Sequence, residues 1–529
     1  MDKDLETLLG AWVGDGPPPE DAPALLGRLR SDGAFRAAFA EEVALLGRLR
    51  AVQSTEPRWL RLEDELGAAR PEHDLEAGVM EALAPRRRNP GRVAAAAVLV
   101  LGLGALLWAV SRPASPPAGP PLAAAVELDA VEWEPGPGQR PSRGGVVGRG
   151  LLRLRSGYLG LAFFSGVHVH VEGPAEIELR SADRLHCVRG RLRVRAAEEG
   201  AGFQVSAPGA LLVDLGTEFG VNVGADGQSD AYVFEGKVEI SALAANGASL
   251  RSELVRDRRA VTIDARDRRI RESAAAPEAF VAARPIQAPP LALRPSYAQA
   301  VLASAPAGYW RFEEAPGDEV PNEIAGGPSL RRTGSVPLEG DGNRSAVFRP
   351  SAEPQHFVLS EPWTIAPQGD YALELWMASD MARHATAVGL IVRDGVPGAD
   401  HLLVLETSSV SSFLAHPPGA LRYLHRWPPG GSGGVNLFSR SLAPARWYHC
   451  VAQKRGSRME LYVDGERAGD AALDSADAGS VYDVVLGQLR PVVPITVGKA
   501  RPFVGRLDEL AIYGRALDPD EIRRHVQAR

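Results

Sequence analysis

The stretch Val93 to Val110, VAAAAVLVLGLGALLWAV, runs eighteen residues without a charge. As a helix rising about 1.5 Å per residue it is roughly 27 Å long, close to the hydrocarbon thickness of a bilayer. A helix in the core of a soluble domain keeps a polar stripe, and this stretch has none. Trp108 lies near one end, where an indole suits the membrane interface. Arg86, Arg87, Arg88 and Arg92 precede the stretch, whereas Arg112 alone follows it before Arg140. Basic flanks stay on the cytoplasmic side, so residues 93–110 read as one transmembrane helix with the N-terminus inside. More than ninety residues come before it, which is unlike the short leader of a cleaved signal peptide. The expectation is a permanent anchor with a small part inside and a large part outside.

A chain of 529 residues exceeds one domain. Its net charge of −7 gives no global attraction to nucleic acid. Cys187 and Cys450 are its two cysteines, too few for a disulfide framework or a cysteine-rich zinc module. The fold class expected is mainly β outside, with a helical segment inside. Residues 1–88 read as short amphipathic helices: Leu5, Leu8, Leu9 and Trp12 keep helical spacing, as do Phe35, Phe39, Val43 and Leu46. No catalytic constellation stands out there. Residues 113–145 open with PASPPAGPP and read as a proline-rich, extended linker.

Residues 146–265 change to short alternating runs punctuated by glycine. LLRLR, VHVHV, AEIEL, RLRVR and KVEI have period two, which argues for an all-β domain. His168 and His170 share one strand face, opposite Val167, Val169 and Val171, and read as polar residues on a solvated face rather than metal ligands. The pieces GFQVSAPGALLVDLGTEFGVNV and AYVFEGKVEI resemble the extracytoplasmic domain of the FecR family. The resemblance rests on Phe203 and Val205, on Leu215, Gly216, Thr217 and Phe219, and on Glu235 and Gly236. Phe203, Leu215 and Phe219 are natural core anchors, Gly216 suits a positive φ, and Glu235-Gly236 fits a tight hairpin turn. The resemblance implies a single-pass regulator of the bacterial inner membrane. Its cytoplasmic residues 1–88 would bind an extracytoplasmic-function sigma factor, and its periplasmic part would receive a signal.

Residues 266–295, rich in Ala, Arg and Pro, read as a connector, and residues 296–529 as a further domain. APAGYWRFEE, YALELWM, RWYHCVAQKRGSRMELYVDGERAG and GRLDELAIYGRALDPDEIRRH resemble, in that order, the laminin-G-like, concanavalin-A-like jelly roll. Tyr309, Trp310, Trp376, Trp447, Asp464, Gly465, Asp508 and Glu509 carry this resemblance. Asp464-Gly465 is a type I′ hairpin signal, and Asp518 with Glu521 forms a capping-box pattern around Pro519.

Jelly rolls of this type bind glycans or proteins, and some relatives are glucanases. Retaining glucanases need two carboxylates about 5 Å apart. The usual Glu-x-Asp-x-x-Glu strand is missing, Glu374 stands alone, and strict alternation sends Asp508 and Glu509 to opposite faces. No enzyme is expected. Alternation also groups Leu507 with Glu509, Ala511 and Tyr513, and Asp508 with Leu510 and Ile512. Asp508 is a candidate calcium ligand, with a structural carboxylate the simpler reading; no other cofactor is implied. Tyr423 and Trp427 are candidate stacking residues for a sugar, with core packing the alternative. The expected function is an anti-sigma-type transducer that senses a glycan or protein outside, or else a membrane-anchored binding module without signalling. Its expected partners are the sigma factor, the membrane and the outer ligand, with no direct nucleic acid.

Overall fold

The computed structural model describes residues 120–529, apart from 197–199, 265, 365–368, 393–400, 410–415, 431–432, 474–480 and 490–500. The helical segment 1–88 and the apolar stretch 93–110 lie outside the described residues. No helix among the described residues is long and apolar enough to cross a membrane.

The first β domain wraps mostly antiparallel strands around one core, with Gln204–Ala207 parallel to Arg184–Ala196. Gly150–Phe163, Val167–Ser181 and Arg184–Ala196 are long neighbours in register, and their alternate residues Leu152, Leu161, Val169, Ile177, Leu192 and Val194 are fully buried. Period-two patterning here yields a half-buried sheet, as its hydrophobic faces require. The domain begins earlier than the pattern suggests. Ala123–Trp133 is a strand paired with Gly150–Phe163, although 113–145 reads as linker. Its leading Ala123, Ala124 and Ala125 are buried, and small residues at a close approach show no apolar alternation. The connector is likewise structured: Arg269–Glu272 pairs with Ala260–Asp264, and Phe280, Val281, Ile286, Ala288 and Leu291 beyond it are buried. It is a strap laid over both domains.

The residues singled out at 203–236 divide. Phe203, Val205 and Phe219 are core. Gly216 has φ +87°, and its N–H donates to Asp214 Oδ2 at 3.0 Å while Thr217 Oγ1 donates to the other oxygen, closing a tight turn. That turn leaves Leu215 half exposed, at 50%, rather than anchored in the core. Glu235-Gly236 is not a hairpin turn. The strands either side, Ser229–Glu235 and Lys237–Leu243, pair with different neighbours, and Gly236 marks the switch. A Cβ on Gly236 would sit 2.7 Å from the Gly216 carbonyl, so close backbone approach explains the glycine. Val167, Val169 and Val171 face the core, but the opposite face is not solvated as expected: His170 is 2% exposed, with Nδ1 2.6 Å from the Tyr158 hydroxyl.

The second domain is a sandwich of two antiparallel sheets. In the first, Ser345–Phe348, Gly505–Tyr513, Tyr371–Ser379, Tyr448–Arg455, Arg458–Val463 and Glu466–Ala472 lie side by side in that order. In the second the order includes His356–Leu359, Val481–Leu486, Ala385–Val392, His401–Thr407, Ala420–Gly430 and Val435–Ser441. Leu373, Leu375 and Met377 face Leu403, Leu405 and Leu421 in a shared dry core. Arg458–Val463 turns into Glu466–Ala472 through Asp464 (φ +53°) and Gly465 (φ +81°), the two left-handed residues of a type I′ turn. Among the described residues two α-helices complete the domain: α1, Pro295–Ala303, and α2, Pro519–Gln527. Asp518 and Glu521 form the capping box of α2, with the Asp518 N–H donating to Glu521 Oε2 at 2.9 Å. Cys187 and Cys450 are buried, unpaired, and in separate domains.

Candidate ligand-binding face

The two outer faces of the sandwich differ. That of the first sheet is sealed by the chain itself. Tyr297 and Val301 of α1, Leu517, Ile522 of α2 and the strap residue Leu291 pack on Ala372, Trp376 and Tyr513. Glu374 lies beneath this cover and is not alone. It accepts hydrogen bonds from Tyr297 Oη (3.1 Å) and Tyr513 Oη (2.8 Å), and meets His449 Nε2 at 2.6 Å and His525 Nδ1 at 3.0 Å. Burial opposes its charge, but His525 and His449 outweigh it and hold the carboxyl well below the usual range. For His525 burial acts first to lower the pKa, and the Glu374 carboxylate reverses it to a raised value. This network fastens α2 to the sheet.

Asp508 and Glu509 occupy the same covered face, which strict alternation does not give. Glu374 pairs with Ala511 and Trp376 with Asp508: two steps along one strand match three along the other. The extra residue is a β-bulge at Glu509, whose φ is +53°. The bulge puts Leu507, Leu510 and Ile512 in the sandwich core, while Ala511 and Tyr513 join the helix side. Glu509 accepts from Tyr309 Oη and, at 3.3 Å, from Arg311 Nε. Asp508 Oδ2 accepts from Asn343 Nδ2 at 2.7 Å. Burial pushes the Asp508 carboxyl well above its ordinary range, with Glu509 adding to the effect, and burial pushes Glu509 up to about 7. Both carboxylates are fully buried.

Asn343 Oδ1 is buried with no hydrogen-bond partner, beside a buried carboxylate whose negative charge is disfavoured. Both donors are hard oxygens, the kind calcium takes. Among the described residues no group of three or more His, Cys, Asp or Glu side chains forms a metal cage. Asp508 and Asn343 therefore fit the ion in kind, as a partial ligand set.

The outer face of the second sheet carries charge. Along His401–Thr407, Leu403 and Leu405 enter the core, so Val404 and Glu406 face away. Glu406 is itself buried and accepts from Thr386 Oγ1 (2.9 Å), Arg422 Nη1 (3.1 Å) and Arg501 Nη1 (2.7 Å), with His384 Nε2 at 2.9 Å. Arg422 Nε donates to Asn436 Oδ1 at 2.7 Å. Burial raises the Glu406 pKa, but His384, Arg501 and Arg422 prevail and hold it well below the usual range. The buried carboxylate so fixes two guanidinium groups and an imidazole, of which Arg501 and His384 keep 28% and 30% of their side chains exposed. Fixed donors at a surface can hold hydroxyl or carboxylate oxygens without paying for their ordering at binding.

The sequence candidates fall elsewhere. Tyr423 is a core residue with no exposed surface, its hydroxyl 2.9 Å from that of Tyr371. It alternates with Arg422 and Leu424, which lie on the strand's outer face. Trp427 is half-buried against the same core. Tyr309 and Trp376 pack under the helices, Trp310 in the sandwich core, and Trp447 donates from Nε1 to the Pro289 carbonyl at 2.7 Å. Sequence reasoning missed Glu406, Arg422 and Arg501. HLLVLET carried the signal for the first: the acid falls on the polar phase of an apolar strand.

Residues 355–523 match the family model described as the concanavalin A-like lectin/glucanases superfamily. No curated protein matches the chain. Among solved structures, domain 4 of AbnA, an extracellular GH43 arabinanase from Geobacillus stearothermophilus in complex with arabinotriose, is 15% identical. It covers 42% of this chain and 98% of its own, with a TM-score of 0.31. The botulinum neurotoxin serotype G binding domain is 10% identical over 42% of this chain and 50% of its own, with a TM-score of 0.32. A SAP-like pentraxin from Limulus polyphemus is 14% identical over 34% of this chain and 78% of its own, with a TM-score of 0.27. Two packed antiparallel sheets, the hairpin at Asp464-Gly465 and the family match together identify residues 355–523 as a concanavalin A-like jelly-roll domain of the laminin-G type.

Proposed function

We propose that the jelly roll is a non-enzymatic binding module for a glycan or protein, and that its ligand meets the second sheet at Arg501, Arg422 and His384. One observation carries this: the first sheet's outer face is closed by the chain's own helices, whereas polar donors converge on the other around buried Glu406. The buried pair Asp508 and Glu509 offers no open carboxylates to a substrate, which supports binding over hydrolysis. Calcium, where bound, would be held by Asp508 and Asn343 and would offset buried negative charge.

The sequence extends this reading to the whole chain. The span 93–110 with its arginine flank supports an inner-membrane anchor, and the FecR resemblance supports a sigma-factor-binding segment at 1–88. In this reading the β domains lie in the periplasm, and ligand binding biases the hold on an extracytoplasmic-function sigma factor. A ligand does so only if its affinity differs between two states of the chain.

Two measurements test the two parts. Full-length protein screened against glycans should retain a ligand, and Arg501→Gln should weaken it by about tenfold, or about 1.4 kcal/mol, in protein that still melts cooperatively. Unaltered binding in Arg501→Gln would move the site elsewhere. Full-length chain should also co-purify with one host sigma factor. None retained leaves an anchored binding protein without signalling.

A further inference from the structure

We propose that the cleft between the two β domains is a second binding site, for the acidic group of a saccharide: a uronate carboxylate or a sugar sulfate. The cleft holds about 350 Å³ and is walled by Val126 and Arg143 of the first domain, Pro289 of the strap, and Arg446, Trp447 and Arg529 of the jelly roll. Its three arginines come from three distant segments. Arg143 precedes the short strand Val146–Val147, Arg446 precedes Tyr448–Arg455, and Arg529 lies just past α2. The tertiary fold alone brings them together.

Three guanidinium groups around one cleft repel each other, so the arrangement calls for counter-charge. Little is present. Arg446 Nη2 lies 3.4 Å from Asp464 Oδ2, and Arg440 reaches the same oxygen at 4.0 Å. Arg143 donates from Nε to the Val126 carbonyl at 3.2 Å and has no carboxylate partner among the described residues. Arg529 lies over the Trp376 ring, 4.9 Å from its centroid, and likewise has no acidic side chain in ion-pair contact among them. Arg440 and Arg446 thus share Asp464, while Arg143 and Arg529 have no acidic side chain in ion-pair contact among the described residues. Burial holds the Arg529 pKa below its ordinary value, against the opposing pull of Asp464 and with a smaller push from Arg446.

The chemistry of the walls selects the ligand. A guanidinium fork matches the paired oxygens of a carboxylate or sulfate. Val126, Pro289 and Pro444 beside the charges give an apolar wall, which suits the ring of a sugar better than a bare ion. The residues are distinct from those around Glu406.

Calorimetric titration of the full-length chain tests this with four probes: a galacturonate trisaccharide, a sulfated disaccharide, a neutral galactose trisaccharide and inorganic sulfate. One acidic saccharide should bind about tenfold more tightly than the neutral sugar and the inorganic ion, and the one that binds identifies the group. Arg143→Gln and Arg529→Gln should each weaken it by about fivefold or more, while Arg501→Gln leaves it unchanged. Failure of both acidic saccharides, equal binding of inorganic sulfate, or unaltered binding in both cleft variants would overturn the proposal. Arg501→Gln reports on the Glu406 face and the two cleft variants on the cleft, so either reading can fail alone.

Discussion

Glu374 and His525 show how one buried pair sets a stability optimum in pH. The Glu374 carboxyl is depressed below its ordinary 4.5, so its contribution is present above that value and lost as pH falls through the folded pKa. The His525 imidazole is raised above its ordinary 6.5, so its contribution is complete below 6.5 and lost as pH rises through the folded pKa. Both contributions are full between 4.5 and 6.5, and thermal melts across pH should show their joint maximum there. Glu374→Ala strands two histidines and two tyrosine hydroxyls in a dry face, and should cost roughly 3–5 kcal/mol by denaturant titration. Asp508 works in the opposite sense, because burial raises its pKa and its charge costs stability at neutral pH. If Asp508 and Asn343 hold calcium, the ion should raise Tm at pH 7 and a chelator should reverse it. Asp508→Asn should abolish that increment.

At the scale of elements, the strap shows what a single Cβ can decide. Phe280 packs against Gly220 in the strand Glu218–Val223, beside Tyr232 and Phe234, where a Cβ on Gly220 would meet the ring at 2.7 Å. Gly220→Ala should therefore lift the strap, costing about 1–3 kcal/mol and exposing 281–290 to protease. Partial proteolysis followed by mass spectrometry checks this. Strands such as Val167–Ser181 and hairpins such as Asp464-Gly465 were legible in the sequence, because both depend on near neighbours: side-chain alternation and two left-handed residues. The bulge at Glu509 was not legible. It depends on Tyr309 and Arg311 reaching across from residues about two hundred positions earlier, and one added residue reversed the faces assigned to Leu507 and Asp508. Leu215 misled for a related reason: its apolar character suggested the core, and the Asp214–Thr217 turn turned it out. Glu406 was visible as an acid in an apolar strand, but its partners come from 384, 386, 422 and 501, and no local pattern joins those positions.

For the whole molecule, the strap and one aromatic residue make the two β domains a single structural unit. Phe164 of the first domain is buried with Ile286 of the strap and with Ala382 and Ala443 of the jelly roll, and its ring fills the space a Cβ on Gly419 would need. Residues 120–529 should melt in one calorimetric transition. Phe164→Ala should cost about 3–5 kcal/mol of coupling and packing, and should split the melt in two. A single transition displaced to lower temperature would show that the strap alone couples the domains. The reading of 266–295 as a connector missed this because its buried residues are spaced without a period, each answering to a different neighbour.

The strand Gly505–Tyr513 lies between Ser345–Phe348 and Tyr371–Ser379, in the interior of its sheet, although it follows both by well over a hundred residues. A ribosome delivers it last of the three. Until it emerges, the first sheet has a gap between Ser345–Phe348 and Tyr371–Ser379, and Leu373, Leu375 and Phe348 lack the packing of Leu507, Leu510 and Ile512. The jelly roll therefore cannot mature strand by strand as it is synthesised. It must hold an open, adhesive half-sandwich until that strand is delivered and then close in one step.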